Sequence, residues 1–147
     1  MTRYEVSFSV SWVHGWQRAG INYADREHFT QGRTATDEQE IGLRYNRACR
    51  TKYGRKVKAP QYVPVTLYID AYAKEPKGWP RGIPNWLKPF IPFVKKPDVD
   101  NIAKLMDGLN KVAWYDDAQV TKLIVTKHVR NGVQQDMTIF TVVWEEE

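Results

Sequence analysis

The chain has 147 residues, with 22 Lys and Arg against 17 Asp and Glu, for a formal net charge of +5. A chain of this length forms one domain and buries roughly 68–70% of its unfolded surface. Its 42% hydrophobic and 13% aromatic content excludes a mainly disordered protein. No apolar run approaches the ~20 residues of a membrane-spanning helix. The opening MTRYEVSFSV lacks the layout of a signal peptide, so a cytoplasmic protein is expected. Cys49 is the single cysteine, which rules out an internal disulfide or a cysteine-based zinc cluster and reads as a small buried residue.

Residues Arg3 to Val13 alternate strictly, with Tyr4, Val6, Phe8, Val10 and Trp12 on one side and Glu5, Ser7, Ser9 and Ser11 on the other. This pattern predicts a strand with one buried face. Residues 14–35 read as a polar loop. A helix is expected from Thr36, where T-D-E-Q matches a capping box closed by Gln39, with Ile41, Tyr45, Ala48 and Cys49 as its apolar stripe and Gly54 as its stop. A second strand covers about Pro64 to Ala73. Six of the eight prolines then fall between Pro76 and Pro97, so this stretch holds no regular element. It also carries Trp79, Trp86, Phe90 and Phe93, which favours a packed or ligand-ordered loop over a free linker. From Asn101 a second helix is expected, with Ile102, Leu105, Met106, Leu109, Val112 and Ala113 at helical spacing. Strands at Val120–Arg130 and about Asp136–Trp144 follow, joined by Asn131-Gly132 as a type I′ hairpin pair. The order β-α-β-α-β-β predicts a single α/β (α+β) domain, a mixed four-stranded sheet with two main helices.

The most informative stretch is Lys95-Lys96-Pro97-Asp98-Val99-Asp100-Asn101. Held extended by Pro97, it would project Asp98 and Asp100 to one side with Val99 inward. Two carboxylates so close repel unless a cation sits between them, and hard oxygen ligands suit Mg²⁺ or Mn²⁺ better than zinc. Asp100 also occupies the expected helix N-cap, a purely structural role, whereas Asp98 has no such explanation. Asp116-Asp117 reads either as an Asp-rich turn or as a second acidic site, and spacing does not decide whether Asp117 comes near Asp98. Lys104 lies one helical turn after Asp100, as a surface salt-bridge partner or as a cation beside a bound phosphate. Asp107 reads as a solvated partner of Lys104 or Lys111.

Seven basic residues and no acidic one lie between Arg44 and Lys58, among them Arg47, Arg50 and Arg55. The Pro-rich loop adds Lys74, Lys77, Arg81, Lys88, Lys95 and Lys96 against Glu75 alone. Two such runs, one mixed with tryptophan beside a carboxylate pair, favour a surface that tracks phosphates. The histidines His14, His28 and His128 share no close spacing, and a Gly-rich phosphate loop is absent, so neither a histidine-based triad nor a small-molecule cofactor is indicated.

The run K-P-D-V-D-N-I-A-K at 96–104, followed by W-Y-D-D-A-Q-V at 114–120, resembles the signature of the RusA-type Holliday junction resolvases, small endodeoxyribonucleases of bacteria and their phages. The resemblance implies a homodimer that binds a four-way DNA junction and makes paired, Mg²⁺-dependent cuts with 5′-phosphate and 3′-hydroxyl ends, in a bacterial or phage-infected cell and close to the nucleoid. It also implies metal binding by Asp98, Asp100 and Asp117, and an active-site role for Lys104. The stretch containing Asp107 is one residue shorter than in many relatives, and loop 74–97 is longer than in compact ones. Two rivals remain at this level. One is a non-catalytic basic architectural DNA-binding protein; the other is a metal nuclease acting on other branched DNA or on RNA.

Overall fold

Strict alternation at the N-terminus does produce a strand, β1 (Thr2–Val10), which ends three residues before the expected boundary. A computed structural model describes residues 1–16, 20–22, 27–29, 32–75, 82–132 and 134–147, and between 20 and 33 it describes the backbone alone. Within the expected loop 14–35 lie two short antiparallel strands, β2 (Gly20–Asn22) and β3 (Glu27–Phe29). Helix α1 spans Gly32–Tyr53, so it begins before Thr36, and the supposed capping box lies inside the helix. Its end is as expected. Gly54 takes φ +72° and returns its N–H to the Arg50 carbonyl at 3.0 Å, a left-handed stop that suits a residue without Cβ.

Strand β4 (Val65–Ala73) alternates buried and half-buried side chains along its whole length. After the Pro-rich stretch come α2 (Val99–Ala103) and a 3-10 turn over Lys104–Gly108. The apolar spacing read as a long helix is therefore carried by a five-residue helix and a chain of turns. The expected inward residues are still delivered: Ile102, Leu105, Leu109 and Ala113 are fully buried. Strands β5 (Val120–Val129) and β6 (Met137–Glu146) complete the chain.

The four long strands form one mixed sheet in the order β1-β6-β4-β5, in which only β4 and β5 run parallel. Because β4 lies between β5 and β6, Asn131-Gly132 is not a hairpin turn. The favoured dipeptide is overridden by pairing of β6 with β4, which requires the connection to carry the chain past β4. One sheet face is covered by helices. Across it, Leu67, Val142 and Val6 stand in register, as do Ile69, Phe140 and Phe8. Phe8 stacks on Phe140 at 5.1 Å and meets Tyr45 of α1 edge-on at 6.2 Å. Ile41, Tyr45 and Cys49 bring the α1 stripe onto these rows, each fully buried, and each large side chain is worth about 1.5–3 kcal/mol. The Tyr45 hydroxyl donates to the Val57 carbonyl at 2.7 Å, and burial pushes its ionisation far above the ordinary phenol range.

Two close backbone contacts locate the segment after α2. A Cβ on Gly108 would stand 2.9 Å from the Glu38 carbonyl oxygen and 3.0 Å from the Glu38 Cα, and one on Gly42 would meet the Gly108 carbonyl oxygen at 3.3 Å. Since helix backbone cannot yield cheaply, Gly108→Ala is expected to destabilise the protein by ~1–3 kcal/mol in urea unfolding, whereas Gly54→Ala acts only through its positive φ.

Candidate active site

The acidic motif begins at the end of an irregular segment and runs into α2. Asp98, not Asp100, is the N-cap, with extended backbone (φ −72°, ψ 152°). Its carbonyl accepts from the N–H groups of Asn101 and Ile102, both at 3.1 Å. Its carboxylate makes no cap bond and instead meets Lys96 Nζ at 3.2 Å, a solvent-exposed pair of the kind that contributes little to stability. Asp100 lies in the first turn, exposed, with no side-chain hydrogen bond or ion pair among the described residues. Because the chain turns helical at Val99, the period-two arrangement does not extend through the motif, and Val99 is 47% exposed rather than inward.

A second strand of chain clamps this turn. The Trp16 N–H donates to the Asn101 carbonyl at 2.8 Å. A Cβ on Gly15 would fall 2.8 Å from Pro97 Cβ and 3.2 Å from Asn101 Cβ, so only glycine allows the approach. The Lys104 ammonium lies 5.2 Å from the Trp16 ring centroid, a cation–π contact, and makes no salt bridge to Asp100 or Asp107. The Lys104 backbone N–H bonds the Asp100 carbonyl, so the lysine closes the same short helical turn that carries Asp100.

Asp117 is fixed differently. Buried Trp114 donates its indole N–H to Asp117 Oδ1 at 2.8 Å. Asp116 caps the following 3-10 turn Asp117–Gln119, accepting from Ala118 N–H at 2.9 Å, in a capping box closed by Gln119. The two neighbours thus divide the roles, with Asp116 holding the turn and Asp117 turned toward Asp107. Asp107 is exposed, as expected, but it pairs with neither Lys104 nor Lys111. Partial burial, followed by the charge of Asp117 and a hydrogen bond with it, raises its carboxyl above the ordinary range. Glu38 of α1 is raised as well, by burial first and then by Asp107 and Asp37. Negative charge therefore collects where α1 meets the turn after α2. Buried Asp37 is met by His14 at 2.8 Å, whose ring stacks on Trp12.

Among the described residues, no three Asp, Glu, His or Cys side chains form a ready-made metal cluster. The donor set of Asp98, Asp100 and Asp117 is nonetheless that of a hard cation, carboxylate oxygens without thiol or imidazole, and it fits Mg²⁺ or Mn²⁺ in its chemistry.

The basic candidates separate. Arg47, Arg50 and Lys56 line a groove of about 520 Å³ on α1, and neither Arg47 nor Arg50 forms an ion pair among the described residues. Arg55 is exposed just beyond the helix. Lys95 and Lys96 are exposed beside Asp98, and Lys127 Nζ donates to the Lys95 carbonyl. Lys88 is committed elsewhere: it pairs with Glu75 at 3.1 Å, its side chain 15% exposed. A backbone hydrogen bond, and then this pair, hold the Glu75 carboxyl below the usual range. Arg81 lies outside the described residues, as do Trp79 and Lys77. The described part of loop 74–97 is pinned to β5. The Phe93 N–H donates to the Lys127 carbonyl and the Val129 N–H to the Ile91 carbonyl. The His128 ring bridges the Pro89 carbonyl and Asp70, each at 3.0 Å. Phe93 is buried there, whereas Trp86 and Phe90 are 71% and 79% exposed.

Sequence reasoning missed Trp16 and Glu38, because each meets its partner across a long stretch of chain with no local pattern to mark it. The pair Gly15-Trp16 was the available signal, a residue without Cβ beside a large ring. No curated protein matches the chain. The profile of one family, Endodeoxyribonuclease RusA, matches residues 21–137, which take in α1, β4, α2, β5 and every acidic residue and lysine of the acidic turns described above. The chain belongs to the RusA endodeoxyribonuclease family.

Proposed function

We propose that this nuclease resolves four-way DNA junctions as a homodimer, by Mg²⁺-dependent paired incision, in DNA recombination and repair. The observation that carries the reading is the Asp98–Lys104 turn, which offers two exposed carboxylates and a lysine on one short piece of chain inside the family match. A non-catalytic architectural protein would leave Asp100 without a function, since it neither caps α2 nor pairs with a cation among the described residues.

Asp98, Asp100 and Asp117 would hold Mg²⁺, with Mn²⁺ as a substitute. When bound, the ion supplies acidity to a coordinated water and offsets charge on the phosphate. The chain's own groups do the rest. Trp114 orients Asp117 through its indole N–H and leaves Oδ2 of that carboxylate outside this bond. Lys96 gives Asp98 only an exposed, exchangeable partner, so a cation can replace it. Lys104 presents a fixed positive charge to the phosphate as negative charge develops there, and the Trp16 ring limits where that ammonium can go. Arg47, Arg50, Arg55, Lys95 and Lys96 hold the DNA backbone on either side. In a two-fold dimer, two such sites would meet two like strands of one junction, which accounts for paired cuts.

Asp98→Asn is expected to abolish cutting of a synthetic junction while leaving its binding intact or tighter; nicks by this variant at the wild-type rate would remove Asp98 from the site. Replacing Arg47 and Arg50 together by Ala should weaken binding to every DNA shape and lower the log-log salt slope by about 2, near 0.9 for each phosphate no longer neutralised. Titration of affinity against NaCl measures it.

A further inference from the structure

A cleft of about 480 Å³ opens beside the turn that carries Asp116 and Asp117, between that turn and the chain entering β4. Tyr62, Tyr115 and Lys111 line it, together with Asp116, whose Oδ1 accepts from the Ala118 N–H. Tyr62 is 93% exposed and stands on a left-handed backbone (φ 69°), a conformation that a bulky residue rarely adopts without a reason. Tyr115 is 43% exposed. Positive charge gathers on Tyr115: Lys58 Nζ lies 3.9 Å from its ring centroid, and Lys111, also at positive φ (66°), donates from Nζ to its carbonyl at 3.2 Å.

The cleft is braced from beneath. Gln119, only 7% exposed, accepts at Oε1 from the N–H groups of Tyr115 (2.9 Å) and Asp116 (3.1 Å). Its Nε2 donates to the carbonyls of Pro60 (2.7 Å) and Val63 (3.1 Å), which flank Tyr62. One amide thus ties both tyrosine-bearing segments together and sets them against the turn of Asp117. Exposed aromatic rings on a rigid base, with ammonium groups alongside, match the chemistry of an unpaired nucleotide: a base face for the ring and a phosphate for the lysine. An apolar peptide would find no use for Lys111, and a base inside a duplex has both faces covered by its stacked neighbours.

We propose that the Tyr62–Tyr115 cleft holds an unpaired nucleobase of the DNA substrate by stacking, with its phosphate on Lys111, while Lys58 backs the Tyr115 ring. The proposal rests on the nuclease reading only for the identity of the strand. It assigns Tyr62 to recognition of opened DNA next to the cutting site, and it leaves duplex binding to the arginine groove on α1.

The test is anisotropy titration in buffer with a chelator and no divalent ion, using labelled oligothymidylate, a four-way junction and a blunt duplex. Tyr62→Ala should bind oligothymidylate and the junction about tenfold more weakly, bind the duplex as wild type does, and be rescued by Tyr62→Phe. Unchanged affinity for oligothymidylate overturns the proposal, as does an equal loss on all three DNAs. Cutting is scored separately with Mg²⁺. A protein that cuts junctions yet binds oligothymidylate as well with Ala at 62 overturns the cleft alone. One that never cuts but shows the tyrosine dependence overturns the nuclease reading alone.

Discussion

The site depends on the contact between Gly108 and the backbone of α1. At that point two main chains approach so closely that no side chain can intervene, and the turn after α2 is laid directly on Glu38. The approach fixes where Asp107 stands and brings Leu105 and Leu109 into the core above Ile41. It sends the chain toward Trp114, whose indole then holds Asp117. Upstream, Gly15 performs the same service for Pro97 and Asn101. Two glycines, one on each flank of the acidic turn, thus set its position without contributing a functional atom.

What was legible in the sequence followed the strength of the local pattern. Strands β1 and β4 and the stripe Ile41, Tyr45 and Cys49 each bury one face against one layer, so their period survives in the amino-acid order. The segment from Asn101 to Ala113 also keeps helical spacing, yet it is a short helix followed by turns, because burial asks only that Ile102, Leu105, Leu109 and Ala113 point inward. Asn131-Gly132 misled because turn preference acts over a few residues, while strand order is decided by which edge β6 pairs with across the whole sheet. At the site, Asp98, Asp100, Lys104 and the D-D pair were visible as a motif. The cap of α2 is Asp98, two residues before the Asp100 that cap preference points to, and the contact of Lys104 with the Trp16 ring is one that no spacing encodes.

Electrostatics divides the molecule into two working surfaces. Carboxylates collect along the junction of α1 with the turn after α2, where Glu38 and Asp107 are both raised by burial and by neighbouring acids. Arg47 and Arg50 on the C-terminal half of α1 and Lys111 beside Tyr115 are exposed and form no ion pair among the described residues. Lys88 is the instructive exception, since its burial against Glu75 shows that a basic residue in a charge run can serve the loop that carries it rather than a partner. A polyanion bound along these cations would be guided to the acidic turn, where the proposed divalent ion would have to offset the repulsion between phosphate and carboxylate.

If Asp98, Asp100 and Asp117 serve one cation, paramagnetic Mn²⁺ titrated into isotope-labelled protein reads it without passing through activity. The amide signals of all three residues are expected to broaden over the same narrow range of Mn²⁺, and Asp117→Asn to shift this range upward for Asp98 and Asp100 together. Broadening at Asp98 and Asp100 that ignores loss of the Asp117 carboxylate would contradict a shared ion.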